Sequence, residues 1–262
     1  MLDYGKRTYI MGILNVTPDS FSDGGDFNSV EKALSHAKEM VEEGADMIDV
    51  GGESTRPGHT YVDSEEEIKR VVPVIKALKG EILVPMSIDT YKANVAEEAL
   101  KLGVEMVNDV WGLRKDKNMA KVVAKYDAEV CIMHNQDGTK YDKDIIESIK
   151  EFLNESIKIA LDVGVKKEKI VLDPGIGFGK TFEQNLEVLR RLGELKELGY
   201  PILLGTSRKS VIGNVLNLEP KDRVEGTVAT TVLGIRDGVD IVRVHDVTEN
   251  LRAAKMADAI YR

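Results

Sequence analysis

Short apolar runs alternate with longer stretches of helical periodicity along the whole chain, and eight such pairs can be counted. The apolar runs predict strands over residues 8–15, 47–51, 83–89, 106–109, 129–134, 170–173, 202–205 and 241–244. The helical patterns predict helices over 29–43, 64–79, 92–102, 119–125, 144–164, 182–198, 210–238 with a break, and 247–261. This repeated order favours a closed parallel (β/α)8 TIM barrel of the α/β class, with a doubly wound open sheet as the alternative.

Glycines mark the ends of several predicted helices. Gly44, Gly103, Gly164 and Gly199 each follow a helical pattern directly before the next strand, where the chain needs a residue that tolerates positive φ. Segment 217–223 is predicted as a loop inside the seventh helical layer. The length of 262 residues is close to the roughly 250 of a typical barrel, and no linker or low-complexity tract interrupts the pattern. One barrel domain is therefore expected over all 262 residues.

Composition and charge exclude several classes of protein. With 42% hydrophobic and 31% charged residues the chain has a globular composition, and no apolar run approaches the roughly 20 residues that span a bilayer. A net charge of −9 without any basic run argues against a nucleic acid partner. The amino-terminal residues show no export signal. Cys131, between Val130 and Ile132, is predicted to be a buried thiol, which fits a reducing cytoplasm.

Polar and charged residues follow nearly every predicted strand. They are Asn15, the segment 51–56, Asp89, Asn108 with Asp109, His134, Asp173, Lys209, and Arg243 with His245. In a TIM barrel the carboxyl ends of the strands form the active-site face. An Asp or Asn at one strand end could simply cap a helix. Their presence at nearly all ends predicts one site that is built from both ends of the chain.

The last two strands carry residues suited to an anion. Arg243 and His245 are two residues apart, so in an extended segment their side chains share one face. Lys209 begins the helix after strand seven, where free N–H groups and the helix dipole favour negative charge. Barrels often bind phosphate near these strands, so phosphate or carboxylate binding is predicted. The alternative is that Arg243 and His245 form surface charge pairs with Asp240 or Asp246.

A second group of residues suits a flat heterocycle. A carboxylate such as Asp173 can accept two N–H bonds from an amino-pyrimidinone edge, and Asn108 offers both a donor and an acceptor. This chemistry would recognise a pterin or a guanine. Only 5% of the residues are aromatic, so Phe178 in a glycine-rich turn and Phe21 in the first loop stand out. Each is expected either to stack on a ligand and cover it, or to anchor its own loop.

The motifs that carry this chemistry occur in a fixed order. They read ILNVTPDSFSD at 13–23, DVGGESTRPG at 49–58, SIDT at 87–90, ND at 108–109, DPGIGFGK at 173–180, SRKS at 207–210 and RVHD at 243–246. Together they resemble bacterial dihydropteroate synthases over essentially the whole chain. The resemblance implies a homodimeric, pterin-binding TIM barrel that joins 6-hydroxymethyl-7,8-dihydropterin diphosphate to 4-aminobenzoate in folate synthesis and releases diphosphate. Sulfonamides would then compete with aminobenzoate.

The resemblance also implies roles for individual residues. By similarity, the pterin would contact Asp89, Asn108, Met133, Asp173, Phe178 and Lys209. The diphosphate would bind Asn15, Arg243 and His245, and the aminobenzoate would bind Phe21, Thr55, Arg56, Pro57 and Ser210. The implied catalytic residues are Asp89, Lys209, Arg243 and His245. Mg²⁺ is the implied cofactor, held by Asn15 together with diphosphate oxygens, and Asp23 is assigned to loop closure.

This assignment predicts a mechanism in which bond breaking leads. Diphosphate leaves a methylene whose developing positive charge the pterin ring delocalises, so carboxylates near the ring and cations near the leaving group stabilise the transition state. A neutral aminobenzoate amine then needs no strong base. Two loops rich in glycine, hydroxyl and charged residues have the composition of mobile segments. The loop residues Phe21, Asp23, Thr55, Arg56 and Pro57 are predicted to close over the diphosphate and the aminobenzoate.

Three other functions share parts of this pattern. A pterin-dependent methyltransferase would use a similar barrel, but it has no diphosphate for Arg243 and His245 to bind. A non-catalytic pterin or phosphate binding protein would need no carboxylates to stabilise a cation. Lys209 could also be a Schiff-base lysine, although the adjacent Arg208 suits anion binding better.

The resemblance departs from the family pattern in the loop after strand five. Residues 135–143 form a short charged segment where the family has a longer loop rich in Met, Gly and Pro, so loop contacts there are left open. The histidines also differ in what is expected of them. His36 and His59 are expected to be solvated or capping residues, and His134 to be either a structural residue or part of the site wall.

Overall fold

Eight parallel strands form the sheet in a computed structural model that describes residues 2–17, 26–54 and 61–262, with the backbone alone for 26–28. The strands are β1 Tyr9–Asn15, β2 Met47–Gly51, β3 Met86–Asp89, β4 Met106–Asp109, β5 Glu129–Met133, β6 Ile170–Asp173, β7 Leu203–Leu204 and β8 Ile241–Val244. Their order is β6-β5-β4-β3-β2-β1-β8-β7, and a parallel bridge between Leu172 and Ile202 joins the two edges. The predicted TIM barrel is confirmed.

Helices follow the strands as the periodicity predicts. They are α1 Asp26–Glu43, α2 Ser64–Leu78, α3 Ala93–Lys101, α4 Met119–Lys125, α5 Ile145–Asp162, α6 Phe182–Arg190, α7 Ser210–Leu216, α8 Val224–Arg236 and α9 Val247–Tyr261, with 3-10 helices at Lys167–Lys169, Leu192–Leu198 and Pro220–Asp222. The break in the seventh helical layer lies between α7 and α8, as expected. The glycines predicted at helix ends have φ values of 104° (Gly44), 99° (Gly103), 97° (Gly164) and 73° (Gly199). In the described ranges, no helix is both long and apolar enough to cross a membrane.

The third strand is shorter than its apolar run predicts. It begins at Met86 rather than Leu83, and the Leu83 side chain is 98% exposed. Pro85 interrupts the run, because a proline has no N–H to donate to a neighbouring strand. Its carbonyl still accepts from the Ile48 N–H at 3.1 Å, so the chain pairs with β2 on that side only.

Two other predicted boundaries differ for local reasons. The sixth helix is α-helical only to Arg190, and Leu192–Leu198 continues it as a 3-10 helix that contains Gly193, a weak helix former. Strand β7 has two residues rather than the predicted four. The Ile202 N–H donates to the Asp240 carboxylate at 3.1 Å instead of to a strand carbonyl, which delays the start of regular pairing.

Alternation along the strands divides the barrel interior into two layers. The lower layer is an apolar cluster of Tyr9, Met11, Met47, Met106, Cys131, Val171, Leu203 and Ile241. The side chains between them, such as Ile48 and Val50 on β2, pack outward against the helices. Each fully buried apolar side chain contributes about 1.5–3 kcal/mol to stability, so the lower layer stabilises the barrel beneath the polar residues. Cys131 is buried as predicted, and burial raises the pKa of its thiol.

The upper layer consists of the next inward-facing residues, two positions after those of the apolar cluster, because side chains alternate along a strand. These residues are Asp49, Asn108, Met133, Asp173, Gly205 and Arg243, and four of the six are charged or carry an amide. All are near the carboxyl ends of their strands. The same alternation that builds the core therefore places a set of charged and amide side chains on top of it.

Candidate active site

A cavity of about 540 Å³ opens above the apolar floor at the carboxyl ends of the strands. Its wall contains ten side chains that the sequence assigned to the site: Asn15, Asp89, Asn108, Met133, Asp173, Phe178, Lys209, Ser210, Arg243 and His245. The five remaining assignments, Phe21, Asp23, Thr55, Arg56 and Pro57, lie outside the described residues. The structure thus brings together every described residue to which the resemblance assigned a binding or catalytic role.

Arg243 occupies the centre of an ion-pair network on this floor. Its Nε donates to Asp49 Oδ2 at 2.5 Å and its Nη2 donates to Asp89 Oδ2 at 2.7 Å. Asn108 Nδ2 also donates to Asp49 Oδ2, at 3.1 Å. Because two carboxylates share one guanidinium, the pKa of Arg243 is raised even though burial opposes this. Arg243 is therefore a partly buried cation whose orientation is fixed by two carboxylates.

The alternative pairing of Arg243 with the neighbouring aspartates is wrong. Asp246 instead accepts from Arg208. Asp240, directly before the first residue of β8, accepts from Lys196 at 3.3 Å. The sequence distance between Arg243 and Asp49 is 194 residues, and β1 alone separates their strands. Local spacing could not reveal this pair, and the sequence analysis missed Asp49 as a partner of Arg243.

Two carboxylate oxygens of this network have no hydrogen-bond partner among the described residues. They are Asp49 Oδ1 and Asp89 Oδ1. A buried acceptor without a hydrogen bond costs about 1–3 kcal/mol, so a ligand N–H that donates to Asp89 Oδ1 would bind favourably. Burial raises the pKa of Asp89 to about 7, and the charge of Arg243 opposes that rise. Asp89 is consequently suited to accept a hydrogen bond from a bound ring.

Asp173 and Lys209 form a second charged part of the wall, next to Arg243. Asp173 Oδ1 accepts from the Gly175 N–H at 2.6 Å, and burial raises the pKa of Asp173 against the opposing charge of Lys209. Lys209 Nζ donates to the Ile176 carbonyl at 2.5 Å and lies 4.8 Å from the centre of the Phe178 ring. Burial lowers the pKa of Lys209 to about 8, with Asp173 as the main opposing charge. An apolar ring, a carboxylate and an ammonium thus face the same space.

His245 is held by a serine of the loop after β7. The His245 backbone N–H donates to Ser207 Oγ at 3.1 Å, and the same oxygen lies 2.9 Å from His245 Nδ1. These two contacts with Ser207 hold the His245 imidazole in the cavity wall.

Two polar residues at strand ends have structural roles. Asp109 accepts from the Trp111 and Leu113 N–H groups, both at 2.8 Å, and closes the turn after β4. Burial raises its pKa to about 6, although both of these bonds oppose the rise. His134 is buried outside the cavity wall, where its Nδ1 lies 2.9 Å from Lys180 Nζ. The possibility that His134 lines the site is therefore wrong.

A second buried charge cluster lies beside the cavity wall. Lys92 donates to Glu53 and, at 2.5 Å, to Glu67 Oε2, and Glu53 lines the cavity. Glu53 also accepts from the Val62 N–H at 3.2 Å. The sequence analysis missed Lys92 and Glu67. The available signal was a charged residue at a position where the helical pattern places a buried side chain.

The chain is similar in sequence to pterin-binding enzymes over most of its length. The family model described as pterin binding enzyme matches residues 11–245. The chain is 64% identical over 259 residues to the dihydropteroate synthase of Clostridium beijerinckii, with coverage of 98% of this chain and 96% of that relative.

Solved structures give the same result. A crystal structure of dihydropteroate synthase from Clostridium difficile in the presence of pteroic acid is 79% identical, with a TM-score of 0.99 and coverage of 100% of both chains. A structure of Xanthomonas albilineans dihydropteroate synthase with 4-aminobenzoic acid is 43% identical, with a TM-score of 0.93, covering 97% of this chain and 93% of that one.

Proposed function

Because the chain belongs to the dihydropteroate synthases, a family of pterin-binding enzymes, we propose that its strand-end cavity is the site of dihydropteroate synthesis. The enzyme is a transferase of folate biosynthesis: it condenses 6-hydroxymethyl-7,8-dihydropterin diphosphate with 4-aminobenzoate and releases diphosphate. The observation that carries the placement is the convergence of Asp89, Asn108, Asp173 and Lys209 beside Arg243 in one cavity. The methyltransferase and non-catalytic interpretations are set aside, because the similar proteins are named as this synthase.

The pterin is proposed to lie between Asp89 on β3 and the pair of Asp173 and Lys209. Asp173 and the unpartnered Asp89 Oδ1 offer acceptors for the ring N–H groups, and Asn108 offers an amide. Lys209 would donate to a ring acceptor, since an ammonium has three hydrogens and the Ile176 carbonyl takes one. Phe178 and Met133, which also line the cavity, would contact the ring faces, as the resemblance implies.

The diphosphate is proposed to lie toward Asn15, Arg243 and His245. The C–O bond of the pterin methylene breaks, and the diphosphate leaves with the electron pair. Carboxylates at the ring would stabilise the positive charge that develops there, which favours a dissociative substitution. The aminobenzoate nitrogen then bonds to the methylene carbon and loses one proton.

A magnesium ion fits the diphosphate end of this cavity. Mg²⁺ uses few protein ligands and binds mainly through phosphate oxygens and water. Asn15 lines the cavity, and its amide oxygen is a neutral oxygen ligand of the kind that Mg²⁺ accepts. Within residues 2–17, 26–54 and 61–262, no group of three or more His, Cys, Asp or Glu is placed to hold a metal. Asn15 would hold an ion that arrives with the substrate and offsets the charge of the leaving group.

The aminobenzoate is proposed to bind next to the first residue of α7. Ser210 lines the cavity there. Phe21, Thr55, Arg56 and Pro57 remain predicted contacts, and Asp23 remains a predicted closing residue. Sulfonamides are expected to compete at the same place.

A homodimer is proposed from the surface of the last helices. Val215 and Leu216 on α7, Leu218 after it and Leu233 on α8 are large apolar side chains at the surface. A second copy covering them would remove this apolar area from water. Sedimentation of the wild type and of Leu216→Glu tests this, and a monomeric wild type at micromolar concentration would contradict it. The free buried thiol of Cys131 supports a cytoplasmic location.

The first test is a product assay. With dihydropterin diphosphate, Mg²⁺ and 4-aminobenzoate, the enzyme is expected to form dihydropteroate, identified by mass, with one diphosphate released per product. Removal of Mg²⁺ with a chelator is expected to reduce the rate strongly. Pterin binding without condensation under saturating Mg²⁺ and aminobenzoate would sink the proposal.

The reaction is expected to slow above about pH 8, because the Lys209 pKa is lowered to about 8. Below that pH Lys209 is an ammonium that donates to the pterin, and above it a neutral amine. Since kcat/KM reports the ionisation of the free enzyme, its profile for the pterin substrate should show this fall. Lys209→Arg keeps the charge and is expected to lose the alkaline fall at lower overall activity. A wild-type profile that stays flat through pH 8 would contradict the assignment.

A further inference from the structure

Lys180 is a buried lysine that the proposed reaction does not use. It ends the motif at 173–180 but does not line the cavity. Its Nζ lies 2.9 Å from His134 Nδ1, 2.9 Å from the Gly175 carbonyl and 3.0 Å from the Phe178 carbonyl. An ammonium has three hydrogens, and these three acceptors take all of them.

Among the described residues, the hydrogen-bond partners of Lys180 Nζ are two backbone carbonyls and an imidazole, and none is a carboxylate. Burial lowers the pKa of Lys180 to about 7, and the nearby charge of Asp173 opposes this. Burial lowers the pKa of His134 to about 2, so this imidazole is neutral at pH 7 and accepts through Nδ1. Burying an ammonium among neutral acceptors is costly, and a neutral side chain would fill the same space without that cost. The contribution of Lys180 is therefore its three hydrogen bonds rather than the volume of its side chain.

The backbone before Lys180 bends around its ammonium. Gly175, Gly177 and Gly179 all have positive φ, at 70°, 87° and 56°. A Cβ on Gly175 would lie 1.9 Å from the His134 carbonyl oxygen, so only glycine lets the loop approach β5 this closely. Lys180 holds both sides of this bend, because the carbonyls of residues 175 and 178 bind the same nitrogen.

The bend supplies three contacts of the cavity wall. The Gly175 N–H donates to Asp173 Oδ1, the Ile176 carbonyl accepts from Lys209 Nζ, and the Phe178 ring lies beside the same Nζ. A change in the position of residues 175–178 would therefore move a carboxylate partner, an ammonium anchor and an aromatic face together.

We propose that Lys180 is a positioning residue for pterin recognition, which sets the glycine bend at 175–179 and, through it, the places of Asp173, Phe178 and Lys209. The proposal rests on the proposed pterin site. It assigns no contact between Lys180 and the substrate. The residue acts on pterin binding and leaves aminobenzoate binding unaffected, because the hydrogen bonds from the bend to the cavity wall go to Asp173 and Lys209.

The test compares Lys180→Met with wild type in a titration with pteroic acid, followed by steady-state kinetics. Methionine keeps the length of the side chain and removes its three donors. We expect pteroic acid to bind about tenfold more weakly and the KM for the pterin substrate to rise similarly, with the KM for aminobenzoate within twofold of wild type. Lys180→Gln, which keeps two N–H donors, is the second variant should the first not fold.

A core variant separates positioning from general loss of stability. Val74 on α2 is fully buried and does not line the cavity, so Val74→Ala should destabilise the barrel and leave both KM values unchanged. Pteroic acid binding within twofold of wild type in a folded Lys180 variant would overturn the proposal. An equal rise of both KM values would overturn it too. Failure of the wild type to bind pteroic acid would instead overturn the proposed function.

Discussion

Arg243→Ala is expected to lower kcat/KM by about 10²-fold or more and to destabilise the fold by about 3–5 kcal/mol. The guanidinium donates to Asp49 at 2.5 Å and to Asp89 at 2.7 Å, and both carboxylates are buried. Its removal leaves two buried carboxyl groups without their counter-ion at the place where the diphosphate must leave. Denaturant unfolding and steady-state kinetics on the same preparation measure the two effects.

The two effects can be separated with a double variant. In Arg243→Met with Asp49→Asn one charge of each sign is gone, so much of the lost stability should return while kcat/KM stays low. Arg191→Ala is a matched control, because its partners Asp144 and Glu194 are surface carboxylates and no measurable change is expected. Activity of Arg243→Ala within twofold of wild type would refute its assignment to the leaving group.

Asp173→Asn is expected to weaken pterin binding by about 10³-fold, the value for the loss of two charge-assisted hydrogen bonds. The amide can still accept from the Gly175 N–H, so the local backbone should persist. It can no longer accept two N–H groups as an anion, and it leaves the charge of Lys209 without its main partner. Calorimetric titration with pteroic acid gives the dissociation constants directly.

Asp109→Asn is the matched control for this substitution. Asp109 is another buried aspartate at a strand end, and its oxygens accept from the Trp111 and Leu113 N–H groups outside the cavity wall. Its replacement should reduce stability and leave the affinity for pteroic acid within twofold. Threefold or smaller weakening in Asp173→Asn would show that this carboxylate does not bind the ring.

The sequence could predict which residues of strands β4 and β6 face the cavity because two rules of barrel geometry are simple. A period of two along each strand puts every second side chain inside the barrel, and the carboxyl ends of parallel strands meet on one face. Asn108 and Asp173 follow the inward-facing Met106 and Val171 by two residues, so their place was predictable. The same rule applied inside the strands would have found Asp49, two residues after Met47.

What escaped prediction depends on contacts between distant segments. The sharing of Arg243 between Asp49 and Asp89 requires the lateral order of four strands, which no local pattern encodes. Leu83 was misassigned because an apolar run was extended across Pro85, whose missing N–H ends the pairing. The environment of Lys180 depends on a bend with three positive-φ residues and on a histidine 46 residues away.

Strand β8 lies beside β1, with Val244 paired to Gly12, although these strands are far apart in sequence. Translation therefore delivers Asp49, Asp89 and Asp173 well before the guanidinium that pairs with two of them. Insertion of β8 brings in the counter-ion of Asp49 and Asp89, so closure of the barrel is coupled to neutralisation of these two carboxylates. A bound pterin diphosphate, with its ring at β3 and β6 and its diphosphate at β8 as proposed, would link these strands and stabilise the closed barrel.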